Sequence, residues 1–178
     1  MFTINDFRKV IKELDEMTGM NGADLPIKRT KSQRTLASFV SSVTRNTLTN
    51  QVVRVEPVRF EVSGLILSLN DEKTFREIIK HEYCHYLANI INQDNCHHDR
   101  RFKEQCRRIG AEASEPTFTN NAIQEASEKL AKHRLICNEC GHVHTFSRMC
   151  STIKAAVQGN AVCSCGSHSF TYKSREDK

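Results

Sequence analysis

His81-Glu82-Tyr83-Cys84-His85 lies inside a segment, Glu72 to Asn92, whose apolar residues Phe75, Ile78, Ile79, Leu87, Ile90 and Ile91 recur at helical spacing. Asn70 or Asp71 supplies an N-cap at its start. Residues four apart on a helix project from one face about one turn apart, so the two imidazoles are placed to grip a single zinc ion. Glu82 lies beside them as a base. This is the arrangement of a zinc hydrolase: neutral imidazoles leave the ion dicationic, water bound there becomes more acidic, and Glu82 takes its proton and later delivers it to a leaving amine. The competing reading of the same residues is two surface histidines on an amphipathic helix. Cys84, within the motif, reads as a small buried hydrophobe rather than a nucleophile.

A catalytic zinc needs a third protein ligand and an open position. In the metzincin extension of the motif, a glycine and a third histidine follow at positions that here hold Ala88 and Ile91, so the ligand must come from a later element. After the polar break Asn92-Gln-Asp-Asn-Cys96, residues Asp99 to Ile109 read as a second helix with Phe102, Cys106 and Ile109 on one face and Gly110 as its stop. One turn back from Phe102 on that face is His98, which is therefore expected as the third ligand. His97 remains the alternative, because the helix need not have begun there. Glu104 lies off that face. Tyr83, Tyr86 and Arg100 are conceivable oxyanion donors, although packing or surface solvation explains each of them as well.

Upstream of the motif, residues 3 to 18 place Ile4, Phe7, Val10, Ile11 and Leu14 at helical spacing before Gly19 and Gly22. Thr35 to Val43 and Gln51 to Ser63 are rich in β-branched residues, the second alternating imperfectly around Pro57, and both are expected as strands. Leu65 to Leu69 is expected as a further short apolar strand that gives the motif helix a sheet to pack on. Downstream, Ala111 to Asn121 is a polar connection containing Pro116, and Asn121 to Arg134 returns to a helical pattern.

The remainder has a different character. Cys137-Asn-Glu-Cys140-Gly has the spacing of a zinc knuckle, and Cys163-Ser-Cys165-Gly supplies a second pair, each followed by a β-like run, Val143 to Arg148 and His168 to Lys173. Four thiolates, Cys137, Cys140, Cys163 and Cys165, close a tetrahedral structural site with no room for substrate. The single residue between Cys163 and Cys165 leaves Cys150, His142, His144 and His168 as alternative ligands.

The chain has 178 residues, formal net charge +5, eight cysteines and no tryptophan. Its length fits one domain with a substantial core, or a compact domain carrying a metal-stapled module. The start, Met1 to Phe7, has no cationic segment followed by an apolar run, and no run of apolar residues is long enough to span a bilayer, so a soluble, cytoplasmic protein without membrane association is expected. In that setting paired cysteines read as metal ligands rather than disulfides. Cations cluster at Lys28, Arg29, Lys31 and Arg34, and again at Arg100, Arg101, Lys103, Arg107 and Arg108, which suits a polyanion. Lys132, Arg134, Arg148, Lys154, Lys173 and Arg175 surround the cysteine pairs, interleaved with Phe146, Phe170 and Tyr172. Such a mixture suits a nucleic-acid strand, unless the aromatics are the core of a small domain.

The run Ile79-Lys-His-Glu-Tyr-Cys-His-Tyr-Leu87, then His98-Asp-Arg-Arg-Phe-Lys103 with Arg107-Arg-Ile-Gly-Ala111, and finally the paired cysteines, resembles the SprT-like metalloproteases, the group that includes Spartan. The resemblance is specific in the central segment and loose over residues 1 to 60. It implies an α+β fold, with a compact zincin-like catalytic domain over 1–115 (N-terminal helix, small sheet, motif helix, third-ligand helix), a connecting helix over 116–134 and a zinc ribbon over 135–178. It also implies that His81, His85 and His98 match the metal ligands and Glu82 the catalytic glutamate, with one catalytic and one structural zinc. Family members of the Spartan kind cleave proteins attached to DNA, so DNA-bound protein substrates, DNA as a partner and a location on the nucleoid are expected. The doubled histidine and the Cys-Ser-Cys pair depart from the family pattern. No long tail follows the cysteine pairs, so recruitment through such a tail is not expected. The contrasting expectation is a non-catalytic DNA-binding adaptor that uses the first domain as a scaffold.

Overall fold

The computed structural model describes residues 1–32, 35–114 and 121–175. Of the residues read above, Arg34 and Pro116 lie outside the described ones. The chain is mixed α+β and divides into two compact units, Met1–Gln124 and Glu125–Lys178. The division falls inside a helix, Asn121–Leu130, within the expected connection.

The first unit begins with α1, Ile4–Thr18. Its start is a capping box in which Thr3 Oγ1 accepts the Asp6 N–H and the Asp6 carboxylate accepts the Thr3 N–H, and Gly19 closes it at φ 73°. Phe7, Val10, Ile11 and Leu14 are buried, as their spacing requires. Asp15, buried on the same helix, accepts the N–H groups of Gly22 and Ala23 at 2.8 and 2.7 Å, which folds the following turn back onto α1. A Cβ at position 22 would sit 3.1 Å from the rings of Tyr83 and Tyr86, so only glycine lets the turn approach this closely.

Strands β1 (Ile27–Thr30), β2 (Ala37–Arg45) and β3 (Val52–Ser63) form a sheet in the order β1-β3-β2, with β1 parallel and β2 antiparallel to β3. The sequence reading missed β1, a four-residue strand with two cations in the middle and no alternation to detect. The imperfect alternation around Pro57 has a structural counterpart. The β2–β3 register shifts between Val40 and Ser41, where Ser41 meets Pro57, a residue with no N–H to give to a ladder.

Residues Leu65–Leu69 correct the expectation of a strand. Gly64–Leu67 is a short helix, α2, capped by Ser63, whose Oγ accepts the Ile66 N–H, while Ser68 Oγ donates to the Gly64 carbonyl at 2.8 Å. Leu65, Ile66, Leu67 and Leu69 are all buried, so the run carries no polar face whose period separates strand from helix, and the serine caps decide.

The motif helix α3 spans Glu72–Asn92 with Asp71 as N-cap. It packs on α1, on β2 and β3, and on α4, Arg100–Ile109, so little of its circumference faces water. Phe7, Phe60 and Phe75 pack between α1, the sheet and α3, with Phe7 and Phe75 edge to face at 6.4 Å. Asp99 caps α4 and Gly110 ends it at φ 63°, leaving Phe102, Cys106 and Ile109 buried as expected and Arg100, Lys103, Arg107 and Arg108 exposed.

The helix expected over Asn121 to Arg134 is α5, Asn121–Leu130, and it ends earlier than its pattern. His133 and Arg134 belong instead to β4, His133–Cys137, which pairs antiparallel with both β5 (Val143–Phe146) and β6 (Phe170–Ser174). Ladders on both sides satisfy the backbone of 133–134 without helical bonds. A further helix, α6 (Ser151–Val157), was not read from the sequence; its Ile153 and Ala156 join Leu135 in a small core. No helix among the described residues is long and apolar enough to cross a membrane.

Candidate metal centres

Helix geometry alone puts His81 and His85 on one face of α3, and the chain's path brings His98 to them. The Nε2 atoms of His81 and His98 are 3.1 Å apart, and those of His85 and His98 are 3.2 Å apart. Three imidazole nitrogens converging on one point fit a cation. Ligands about 2.0–2.1 Å from a tetrahedral zinc stand about 3.3 Å from one another, close to the spacing found. His97 is exposed, and its Nε2 lies 3.3 Å from the Asn95 side chain, outside this group. Glu104 is exposed and also lies outside it.

The environment favours the form of imidazole that ligates. His81 is 1% exposed. Burial, reinforced by repulsion from His81, His98 and His97, pushes His85 down to about 3, so it is neutral at physiological pH and keeps a lone pair to offer. Phe102 lies under all three histidines, its ring 5.1 Å from His81, 4.3 Å from His85 and 4.9 Å from His98. The helical pattern marked Phe102 only as an inward residue; that it floors the cluster depends on how α4 meets α3.

Glu82 is buried, and its Oε2 accepts the backbone N–H of Phe39 at 2.9 Å. Phe39 belongs to β2, an edge strand of the sheet, and the N–H it gives to Glu82 is one that β3 does not take. No side-chain pattern announces such a contact, because the donor is main chain. Tyr83 points elsewhere: its hydroxyl donates to Asp15 at 2.7 Å and lies 2.7 Å from Thr18 Oγ1, so it locks α3 to α1. Tyr86 packs against Phe39 and Phe60. Arg100 is exposed on α4. Cys84 is buried beside Cys106 of α4, and hydrogen bonding to Cys106 together with burial pushes its thiol up, which suits packing rather than nucleophilic chemistry.

In the second unit Cys137, Cys140, Cys163 and Cys165 bring their sulfurs within 4.8 Å of one another. Cys137 Sγ lies 3.6 Å from Cys165 Sγ, and Cys140 Sγ 3.7 Å from Cys163 Sγ, against about 3.8 Å between sulfurs on a tetrahedral zinc. Each pair sits on a tight turn. Gly141 N–H bonds the Cys137 carbonyl with φ 70°, and Gly166 N–H bonds the Cys163 carbonyl with φ 88°. The Cys140 backbone N–H, with that of Glu139, holds the Cys137 thiol down to about 6, and the Cys165 N–H lowers Cys163, whereas hydrogen bonds with the neighbouring sulfurs push Cys165 up to about 12, so the turns favour thiolate at the first cysteine of each pair. Cys150 packs on the small core, and His142, His144 and His168 stand outside the four-sulfur group. Both clusters are compatible with zinc. The four-cysteine group closes a tetrahedron by itself, whereas the three-histidine group supplies one ligand fewer than a closed tetrahedral site uses.

Comparison with known proteins adds a family. The model of the SprT-like family matches residues 11–128, which include the histidine cluster and stop before the cysteine cluster. A curated protein of Streptococcus pyogenes named Protein SprT-like is 29% identical over 89 residues, 50% of this chain and 56% of that relative. Proteins of the same name from Bacillus cereus and Streptococcus thermophilus are 35% identical over 75 residues (42% of this chain, 46% of the relative) and 32% over 98 residues (55% and 58%). The chain thus spans about half the length of the curated relatives it matches. No solved structure matches.

Proposed function

The chain belongs to the SprT-like family, and from that premise we propose that it is a zinc-dependent metalloendopeptidase acting on DNA-associated proteins. The observation that carries the proposal is the convergence of the His81, His85 and His98 Nε2 atoms beside a buried glutamate. In this reading residues 1–115 form a zincin-type catalytic domain and 135–178 a zinc ribbon held by Cys137, Cys140, Cys163 and Cys165.

Zinc held by the three histidines would polarise a peptide carbonyl and acidify water. Glu82 is the general base that takes a proton from the attacking water and returns it to the leaving amine. Phe39 fixes one oxygen of Glu82 through its backbone N–H, so that the carboxylate enters the reaction oriented. The hydrophobic floor of Phe102 keeps the imidazoles close-packed and dry on one side.

The DNA part of the proposal rests on charge. Arg100, Lys103, Arg107 and Arg108 line the outer face of α4, and in the second unit Lys132, His133, Arg148 and Arg175 surround a recess of about 380 Å³. Phe146, Phe170 and Tyr172 pack against the Leu135–Ile153–Ala156 core, so the cations rather than these rings support it.

The test incubates the full chain, with zinc, with a DNA-binding substrate protein in the presence and absence of DNA, beside Glu82→Gln. Wild type is expected to cleave with DNA present, and Glu82→Gln to lose about 10²–10⁴ in rate. Full proteolysis by Glu82→Gln would end the mechanism. A wild-type chain that loads both metal sites and binds DNA yet never cleaves would favour the adaptor.

A further inference from the structure

His98 is exposed and follows a turn that begins after the C-cap of α3, so beyond its ring contact with Phe102 its place depends on how that connection is held. We propose that Asn89 and Arg101 are positioning residues that fix this connection so that the His98 ring meets His81 and His85. The inference rests on the reading of those three histidines as a metal site.

Asn89 lies on the His81–His85 face of α3, one turn beyond His85, and is 6% exposed. Its Oδ1 accepts the backbone N–H of Cys96 at 2.9 Å, in a buried bond two residues before His98. Its own carbonyl accepts the N–H groups of Gln93 and Asp94, the first residues after the helix. Cys96 itself is fully buried, its thiol 3.5 Å from the Ala88 carbonyl. The face that carries two ligands therefore also docks the segment that delivers the third.

Arg101 ties the two ends of the same segment. Its Nη1 donates to Asp94 at 2.9 Å, while Nε and Nη2 donate to Asp99 at 2.9 and 2.7 Å. Asp99, held in this way, also accepts the Arg101 and Phe102 backbone N–H groups and so fixes the first turn of α4 directly after His98. His98 is bracketed by Asn89 on its N-terminal side and by the Arg101 clasp on its C-terminal side. Groups that orient metal ligands in this way typically change metal affinity tenfold to a hundredfold when removed.

The test uses cobalt as the probe in the full chain, because histidine-bound and thiolate-bound cobalt absorb differently and the four-cysteine site serves as an internal reference. Asn89→Leu keeps the size but removes the acceptor; Asn89→Asp keeps the acceptor. The expected result is a loss of about tenfold or more in affinity at the histidine site of Asn89→Leu, unchanged thiolate-site affinity, and an Asn89→Asp affinity within about threefold of wild type. Wild-type affinity in Asn89→Leu, or equal weakening of both sites, overturns the proposal. Should Asn89→Leu not fold, Arg101→Gln at the surface decides: weakening confined to the histidine site supports the clasp, and unchanged affinity refutes it. A wild-type chain that loads cobalt only on thiolate removes the metal-site reading, and this inference with it.

Discussion

Replacing His98 by alanine, beside the same change at His97, separates two residues that are neighbours in sequence and unlike in space. His98 Nε2 lies within 3.2 Å of both His81 and His85 Nε2, whereas the exposed His97 ring faces Asn95. Zinc binding by four protein ligands is worth about 10–16 kcal/mol, so one ligand contributes roughly 3–4 kcal/mol, or about two to three orders of magnitude in affinity. His98→Ala should lose zinc from the first unit by about that factor, while His97→Ala stays within about threefold. Competition with a chromophoric chelator measures both, with the four-cysteine group as an internal reference that neither change touches. Zinc loss from His97→Ala equal to that from His98→Ala would refute the assignment, as would His98→Ala retaining wild-type affinity.

Two further outcomes follow from contacts around the site. Tyr83→Phe removes a buried hydrogen bond to the Asp15 carboxylate, which keeps the Gly22 and Ala23 N–H groups, so the cost should be about 1.5–2 kcal/mol. For a unit of the size of Met1–Gln124 that lowers the calorimetric midpoint by roughly 6–8 °C, and a change under about 2 °C contradicts the account. Hydrogen bonds from Arg101 hold Asp94 and Asp99 below the usual carboxylate range. A folded-state pKa below the unfolded value stabilises the fold above that unfolded value and the gain fades as pH falls through the folded one, so Arg101→Gln should be destabilised at neutral pH and its deficit should shrink as pH falls below the usual carboxylate range. A deficit that stays constant in denaturant titrations from neutral pH down through the acid range in which these carboxylates protonate would exclude this origin.

Much of the first unit was legible because its signals are local. Asp71 and Gly110 bound helices where capping chemistry places the ends, and Phe7, Val10, Ile11 and Leu14 face inward because their spacing leaves no other face apolar. The failures share a cause. Leu65–Leu67 is buried on every side, β1 has two cations at its centre, and the helical pattern continuing to Arg134 yields to strand pairing by β4. In each the local period was absent or misleading: serine caps decided at Leu65–Leu67, and strand partners distant in sequence decided β1 and β4.

Sequence alone determined that His81, Glu82 and His85 share one helical stretch and that Cys137 and Cys140 flank a knuckle, because bond geometry fixes the distance between residues a few positions apart. It also narrowed the candidates for a third ligand to two adjacent histidines. Tertiary structure decided what local geometry cannot reach. It turned His98 rather than His97 toward the pair, set the Phe39 N–H of an edge strand on Glu82, floored the cluster with Phe102, and brought two cysteine pairs separated by the whole of α6 into one four-sulfur group. Those contacts depend on where the chain returns after a turn or a strand, and that is set by the packing of the whole unit rather than by any spacing within a motif.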